Sequence, residues 1–277
     1  MKILAGHVVL LTGASGGLGT YMAAAFAERK VKLALVAHPG VDLDGLRKSV
    51  ADSGTEAIAL TSDLRDAARR REMLAVVKSR LGPIDILVNN AGVEFNSPYH
   101  DLREDQIGEV LSVNLEAPMI LSRLVLPEMI EHRQGHIVNI SSLAGKCGPA
   151  YQEPYAATKA GLVAFTQSLR ATYRGSGVSA SVVVPAFVEA GIYARLKARS
   201  GCSAPRLLTG CSPEQVARAV LRSIEGDVPE MIVSRYPIWP VLAISAVSPR
   251  LGDWIAARIG VHDFFRRAVE AEKRIRS

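Results

Sequence analysis

Tyr155 and Lys159 stand four residues apart just after Pro154, where the apolar spacing predicts the start of a helix. Four residues make about one helical turn, so the phenol and the ammonium share a face, and the cation can stabilise a phenolate. A free tyrosine titrates near pH ~10, too high for efficient proton exchange at neutrality, and a neighbouring cation answers that need. The pair alone recurs by chance in many sequences. Its place after a strand ending Asn139-Ile140-Ser141-Ser142 is what gives it weight.

A second constellation, Thr12-Gly13-Ala14-Ser15-Gly16-Gly17-Leu18-Gly19, joins the first apolar run to the first amphipathic stretch. Glycines there let the backbone turn tightly and let a phosphate approach the positive end of the following helix. The string departs from G-x-G-x-x-G, so the strand-turn-helix setting is what points to a dinucleotide. In such folds an acid about twenty residues further on commonly holds the ribose 2′-hydroxyl. Here the second strand ends Val36-Ala37-His38-Pro39, without a carboxylate. That favours NADP, with NAD still allowed; His38 either donates to the 2′-phosphate or is an idle loop residue.

These side chains need a scaffold. Short apolar or β-branched runs recur at residues 7–12, 32–37, 56–61, 84–88, 136–141 and 178–184. Stretches 18–29, 66–80, 103–132 and 154–174 between them carry helical spacing. This alternation predicts an α/β fold, a doubly wound parallel sheet of Rossmann-like type. Most runs lack polar alternation, as strands covered on both faces do. One domain is expected over residues 1–233, including a lid at 186–212 rich in Arg, Lys, Gly and Ser. A helix at 213–225 and a last strand at 231–233 follow, and 234–277 is read as a C-terminal extension of two or three short helices.

With these pieces in order, the sequence resembles the short-chain dehydrogenase/reductase family over nearly the whole chain through Val233. The matching pieces are the 12–19 turn, Asp63 after the third strand, Asn89-Asn90-Ala91-Gly92 after the fourth, Asn114 in the long helix, Ser142, Tyr155 and Lys159. The resemblance implies an NAD(P)-dependent oxidoreductase that moves a hydride between nicotinamide and a carbonyl or alcohol. Tyr155 would be proton donor and acceptor, Lys159 would lower its pKa and bind the nicotinamide ribose, and Ser142 would hold the substrate oxygen. Asn114 would hold a water of a proton relay. Gly13, Ser15, Gly16, Gly17, Leu18, Gly19, His38, Asp63, Leu64, Asn90, Ala91, Gly92, Pro185 and Val188 would bind the cofactor. Ser141 competes with Ser142, but only the latter has the family's spacing to Tyr155. The chain departs from the family after the sixth strand: Pro185-Ala186 replaces the usual Pro-Gly, and Ala190 stands where a threonine is common.

Composition narrows the remaining classes. Of 277 residues, 48% are hydrophobic and 22% charged, so the chain is globular and not disordered. The net charge of +6 is scattered, dense only at Arg266, Arg267, Lys273, Arg274 and Arg276, which reads as a solvated helix end. No nucleic-acid partner is expected, and membrane-surface contact through the tail is allowed but not favoured. Three cysteines without metal spacing imply no metal site, no disulfide scaffold and a reducing, cytoplasmic setting. The uncharged run 236–247 spans only about 18 Å as a helix, short of a bilayer core of roughly 30 Å.

The segments expected above the nicotinamide are mostly apolar: Val93 and Phe95, then Leu143, Ala144, Cys147, Gly148, Pro149 and Ala150, then Phe187, Ile192, Tyr193 and Leu196. They suit a lipophilic ketone or alcohol, such as a steroid or a 3-oxoacyl thioester, better than a sugar whose buried hydroxyls would lack partners. Arg195, Lys197, Arg199 and Arg206 could attract an acidic carrier, or be a solvated face. The family also implies a homo-oligomer pairing through 103–132 and 154–174. A catalytically silent dinucleotide sensor on the same fold is the rival reading.

Overall fold

A computed structural model describes residues 1–276, with side chains described through residue 274. Seven strands form one parallel sheet: β1 (Val8–Thr12), β2 (Lys32–Ala37), β3 (Ala57–Thr61), β4 (Ile86–Asn89), β5 (Gly135–Ile140), β6 (Val178–Pro185) and β7 (Glu230–Val233). Their order is β3-β2-β1-β4-β5-β6-β7, so the winding reverses between β1 and β4. Sheets of this kind bind ligands at the carboxyl ends of the strands beside such a reversal.

Alternation along β1 divides the core in two. Val9 and Leu11 face α1 (Gly17–Ala27) and α8 (Pro213–Glu225), where Met22, Phe26, Val216, Val220 and Ile224 are buried. Val8 and Leu10 face α3 (Ala67–Leu81) and α5 (Ala117–Glu131), which contribute Met73, Val77, Leu121 and Met129. A short helix, α2 (Asp44–Asp52), stands where the sequence reading placed none; Leu43, Leu46 and Val50 form its short apolar stripe against the core.

The predicted helix over 103–132 is interrupted. Between α4 (Glu104–Leu111) and α5, residues Ser112–Glu116 form a π turn, closed by the Ala117 amide donating to the Ser112 carbonyl. Such widened turns recur at functional sites, and this one carries Asn114. The run Glu104–Glu131 is long and apolar enough to cross a membrane by composition, but its apolar face packs into the core.

The lid is more regular than its composition suggested. It contains α7 (Gly191–Ser200), which buries Tyr193 and Leu196 and ends at Gly201 in the left-handed region. The tail forms α9 (Trp239–Val247), α10 (Pro249–Ile259) and α11 (Val261–Arg276). Phe187, Tyr193, Phe264 and Phe265 stack edge to face, with centroids 4.8–6.1 Å apart, and so tie the lid to α11. In the basic cluster at this end, Arg266 pairs with Asp263 and Lys273 with Asp101. The Arg276 side chain lies outside the described residues.

Candidate active site

The strand ends at the reversal are stitched together by short polar contacts. The Thr12 hydroxyl accepts from the amides of Asn90 and Ala91 at 3.0 and 3.1 Å. Asn90 Nδ2 returns bonds to the carbonyls of Thr12 and Gly13 at 3.0 and 2.9 Å. Gly13 has φ +64°, and a Cβ there would lie 2.8 Å from Ala91 Cα, so only glycine lets the two loops meet. The N-terminus of α1 has no capping side chain and no acid in its first turn, leaving its amides and the positive end of the helix for an anion.

A cleft of about 540 Å³ runs from this turn across the sheet ends. Gly13, Ser15, Gly16, Gly17, Leu18, His38, Asp63, Leu64, Asn90, Ala91, Gly92, Ser142, Tyr155, Lys159, Pro185 and Val188 all line it. Gly19 does not: a Cβ there would sit 2.2 Å from the Gly13 carbonyl, so its work is to pack helix against turn. Asn114 lies fully buried behind the wall. Its side-chain amide clamps Val93, accepting from the amide and donating to the carbonyl at 2.8 Å each.

Helix α6 (Glu153–Thr172) carries Tyr155 and Lys159. A buried chain from Asn89 through Asn139 to the Thr166 hydroxyl, at 2.8 and 2.9 Å, fixes α6 to β4 and β5. Ser141 donates to the Lys159 carbonyl at 2.7 Å and is spent there, while Ser142 is the serine within hydrogen-bonding reach of Tyr155. Lys159 Nζ donates to the Ile140 carbonyl at 2.9 Å and stands 5.5 Å from the Tyr155 ring centre.

Burial dominates the electrostatics of this pair. Burial holds the Tyr155 phenol above its ordinary range, the nearby Glu94 adds to this, and Ser142 offsets only part. Burial brings Lys159 itself down to about 8, with Glu94 opposing.

Two functional candidates escaped the sequence reading. Glu94 accepts from Asn96 Nδ2 at 3.0 Å and Gln152 Nε2 at 2.8 Å, and burial lifts its carboxyl to about 7. Only its position directly after Asn90-Ala91-Gly92-Val93 could have signalled it. Arg65 forms a two-pronged pair with Asp63, at 3.0 and 2.8 Å, and its hydrogen bonding holds that carboxyl at about 2. Both line the cleft, Arg65 with His38 at its outer end. Of the predicted apolar lining, Phe95, Gly148 and Ala150 stay out of the cleft wall; the other nine residues are in it.

The residues fit a dinucleotide. The uncapped helix end suits its phosphates, and the buried Ser62 hydroxyl, on the cleft wall beside Asp63, has no partner among the described residues. A glycine-turned phosphate cradle and a buried phenol in one continuous cleft define a nucleotide-dependent oxidoreductase. The short chain dehydrogenase family model matches residues 7–200. Ketoacyl reductase HetN of Nostoc sp. is 38% identical over 98% of this chain and 95% of its own length. The 3-oxoacyl-[acyl-carrier-protein] reductase FabG of Vibrio cholerae is 34% identical over 67% of this chain and 75% of its own length. A crystal structure of an actinorhodin polyketide ketoreductase variant with NADPH superposes with a TM-score of 0.76 at 27% identity, covering 82% of this chain and 95% of that one. A metagenomic short-chain oxidoreductase in complex with NADP gives 0.71 at 29% identity, covering 84% and 98%. This chain belongs to the short-chain dehydrogenase family.

Proposed function

We propose that this enzyme reduces a lipophilic ketone with NADPH, a 3-oxoacyl thioester ranking ahead of a steroid because ketoacyl reductases stand among its relatives. The observation that carries the reading is Tyr155, buried and beside Ser142 beneath a mostly apolar roof. A phenol is in its acid form at neutral pH, so Tyr155 can protonate a ketone oxygen that gains negative charge.

The nicotinamide, when bound, supplies the hydride. Ser142 donates a hydrogen bond to the ketone oxygen and sets it in reach of Tyr155, which delivers the proton. Lys159, near 8, is poised to return a proton toward the phenol and to hold the nicotinamide ribose once it leaves Ile140. Asn114 has its side chain committed to Val93, so its part in a proton path falls to the main chain of the widened turn. His38 and Arg65 supply donors for a 2′-phosphate, and no acid at the end of β2 opposes it.

Two further readings rest on surface features. The groove lined by Met119, Leu126, Ile130, Phe165 and Leu169 between α5 and α6 supports a homo-oligomer joined there. Three free thiols support the reducing cytoplasm.

Single-turnover NADPH oxidation with a 3-oxoacyl thioester, a steroid ketone and a sugar tests the proposal. Thioester first and sugar last is expected, and Tyr155→Phe should lower turnover by about 10²–10⁴-fold while NADPH affinity stays within a few-fold. Preference for the sugar overturns the substrate class. No hydride transfer to any carbonyl overturns the enzyme in favour of a silent binder.

A further inference from the structure

Helices α9 and α10 pack against each other while burying almost none of their own residues. The nine residues of α9, Trp239–Val247, carry no charge, yet none of them is buried. The outer face of the pair exposes Val247 at 88%, Trp239 at 66%, Trp254 at 54% and Leu251 at 44%. The helices hold each other closely: Gly252 is buried where a Cβ would meet Ser245 Oγ at 2.5 Å. Their inner face, through Val241, Leu242, Ser245 and Ala256, roofs the substrate end of the cleft. One hairpin thus separates an apolar cavity from solvent while presenting tryptophans outward.

The charges around that face are mostly positive. Arg235 lies 5.6 Å over the Tyr236 ring and Arg258 lies 5.1 Å over Trp254, and Arg250 is exposed at the start of α10. Across residues 234–260 the only acid is Asp253, set 3.5 Å from His262. A two-fold contact of this face with a second copy would bring the arginines against one another. Exposed tryptophans beside arginines match a headgroup region, where indoles sit at the interface and cations meet anionic lipid.

We propose that the α9–α10 hairpin docks this enzyme on an anionic bilayer surface, Trp239, Val247, Leu251 and Trp254 entering the headgroup layer and Arg250 and Arg258 pairing with lipid phosphates. The hairpin lies on the bilayer surface, its helices of nine and eleven residues too short to cross it. The docking stands on the hairpin alone; that it delivers a lipophilic ketone from the bilayer into the roofed cleft rests on the proposed function.

Flotation of the full chain with vesicles of phosphatidylcholine, alone or mixed with phosphatidylglycerol, reads docking without any chemistry. The wild type should float with the anionic vesicles, about tenfold or more above the neutral ones. Trp239→Ser combined with Trp254→Ser, and separately Arg250→Glu combined with Arg258→Glu, should each remove that binding. Neither pair lines the cleft, so the melting midpoint and the turnover of a small water-soluble ketone should stay unchanged. Wild type that remains in the pellet with both vesicles overturns the proposal, as does equal flotation of all variants. Loss of a dimer in the tryptophan variant, with no flotation of the wild type, reassigns the face to a second copy.

Discussion

The floor of the cleft, formed by the carboxyl ends of β1, β4 and β5 with α6, differs from the roof formed by α7 and α9–α11 in how each is held. Floor groups are locked by sheet-end hydrogen bonds, the Thr12–Asn90 exchange and the Asn89–Asn139–Thr166 chain, all within the main core. The roof is held by a separate apolar cluster, Phe187, Tyr193, Leu196, Phe264 and Phe265 among it, and its outer hairpin has almost no buried residue. Segments with few buried contacts open at lower free energy than the core. The chemistry therefore stands on the rigid wall, and substrate admission on the wall that can move.

Phe26 and Phe264 put this contrast to its hardest test, since both are fully buried, one under the floor and one in the roof. Phe26→Ala should cost about 3–5 kcal/mol of global stability, the usual range for such a truncation. Phe264→Ala should loosen the roof alone, raising KM for the ketone while leaving NADPH affinity and most of the melting midpoint intact. Equal drops in Tm for the two variants would make floor and roof one cooperative unit.

His38→Asp sharpens the comparison at the outer end of the floor. A carboxylate there repels a 2′-phosphate and accepts from a 2′-hydroxyl, so the NADPH-to-NADH ratio of kcat/KM should fall by roughly tenfold. A wild type that already prefers NADH would remove the basis for this expectation.

Glu94→Gln probes the seam between floor and roof, with the smallest expected effect. The carboxyl at about 7 is neutral below that pH and anionic above it, where it favours the protonated forms of both Tyr155 and Lys159. In the wild type, kcat/KM for an uncharged ketone should change by roughly threefold across pH 7, and glutamine should erase that limb. It should also move the Lys159 ionisation down from about 8, since an attraction for its proton is lost. An unchanged profile would show that Glu94 only props up Gln152 and Asn96.

Much of the floor was legible in the chain itself. The glycine turn, Asn90-Ala91-Gly92, Ser142, Tyr155 and Lys159 lie within short segments whose strand and helix periods are local properties, and the parallel sheet follows from their alternation. Helix α2 was legible but missed: Leu43, Leu46 and Val50 stand at helical spacing, in a stripe of only three residues. The π turn at Asn114 was hidden inside a continuous helical pattern, since widening one turn hardly disturbs apolar spacing.

Local pattern determined which residues could carry phosphate, hydride acceptor and proton. Only the tertiary structure decided that the tail would fold back as α9–α11 to roof the cleft, and that Glu94 would meet Gln152, 58 positions away. It also decided that Tyr155 would be buried and that Lys159 would donate to the Ile140 carbonyl. Burial and the direction of an ammonium depend on every element packed around them, and no spacing along the chain encodes that sum.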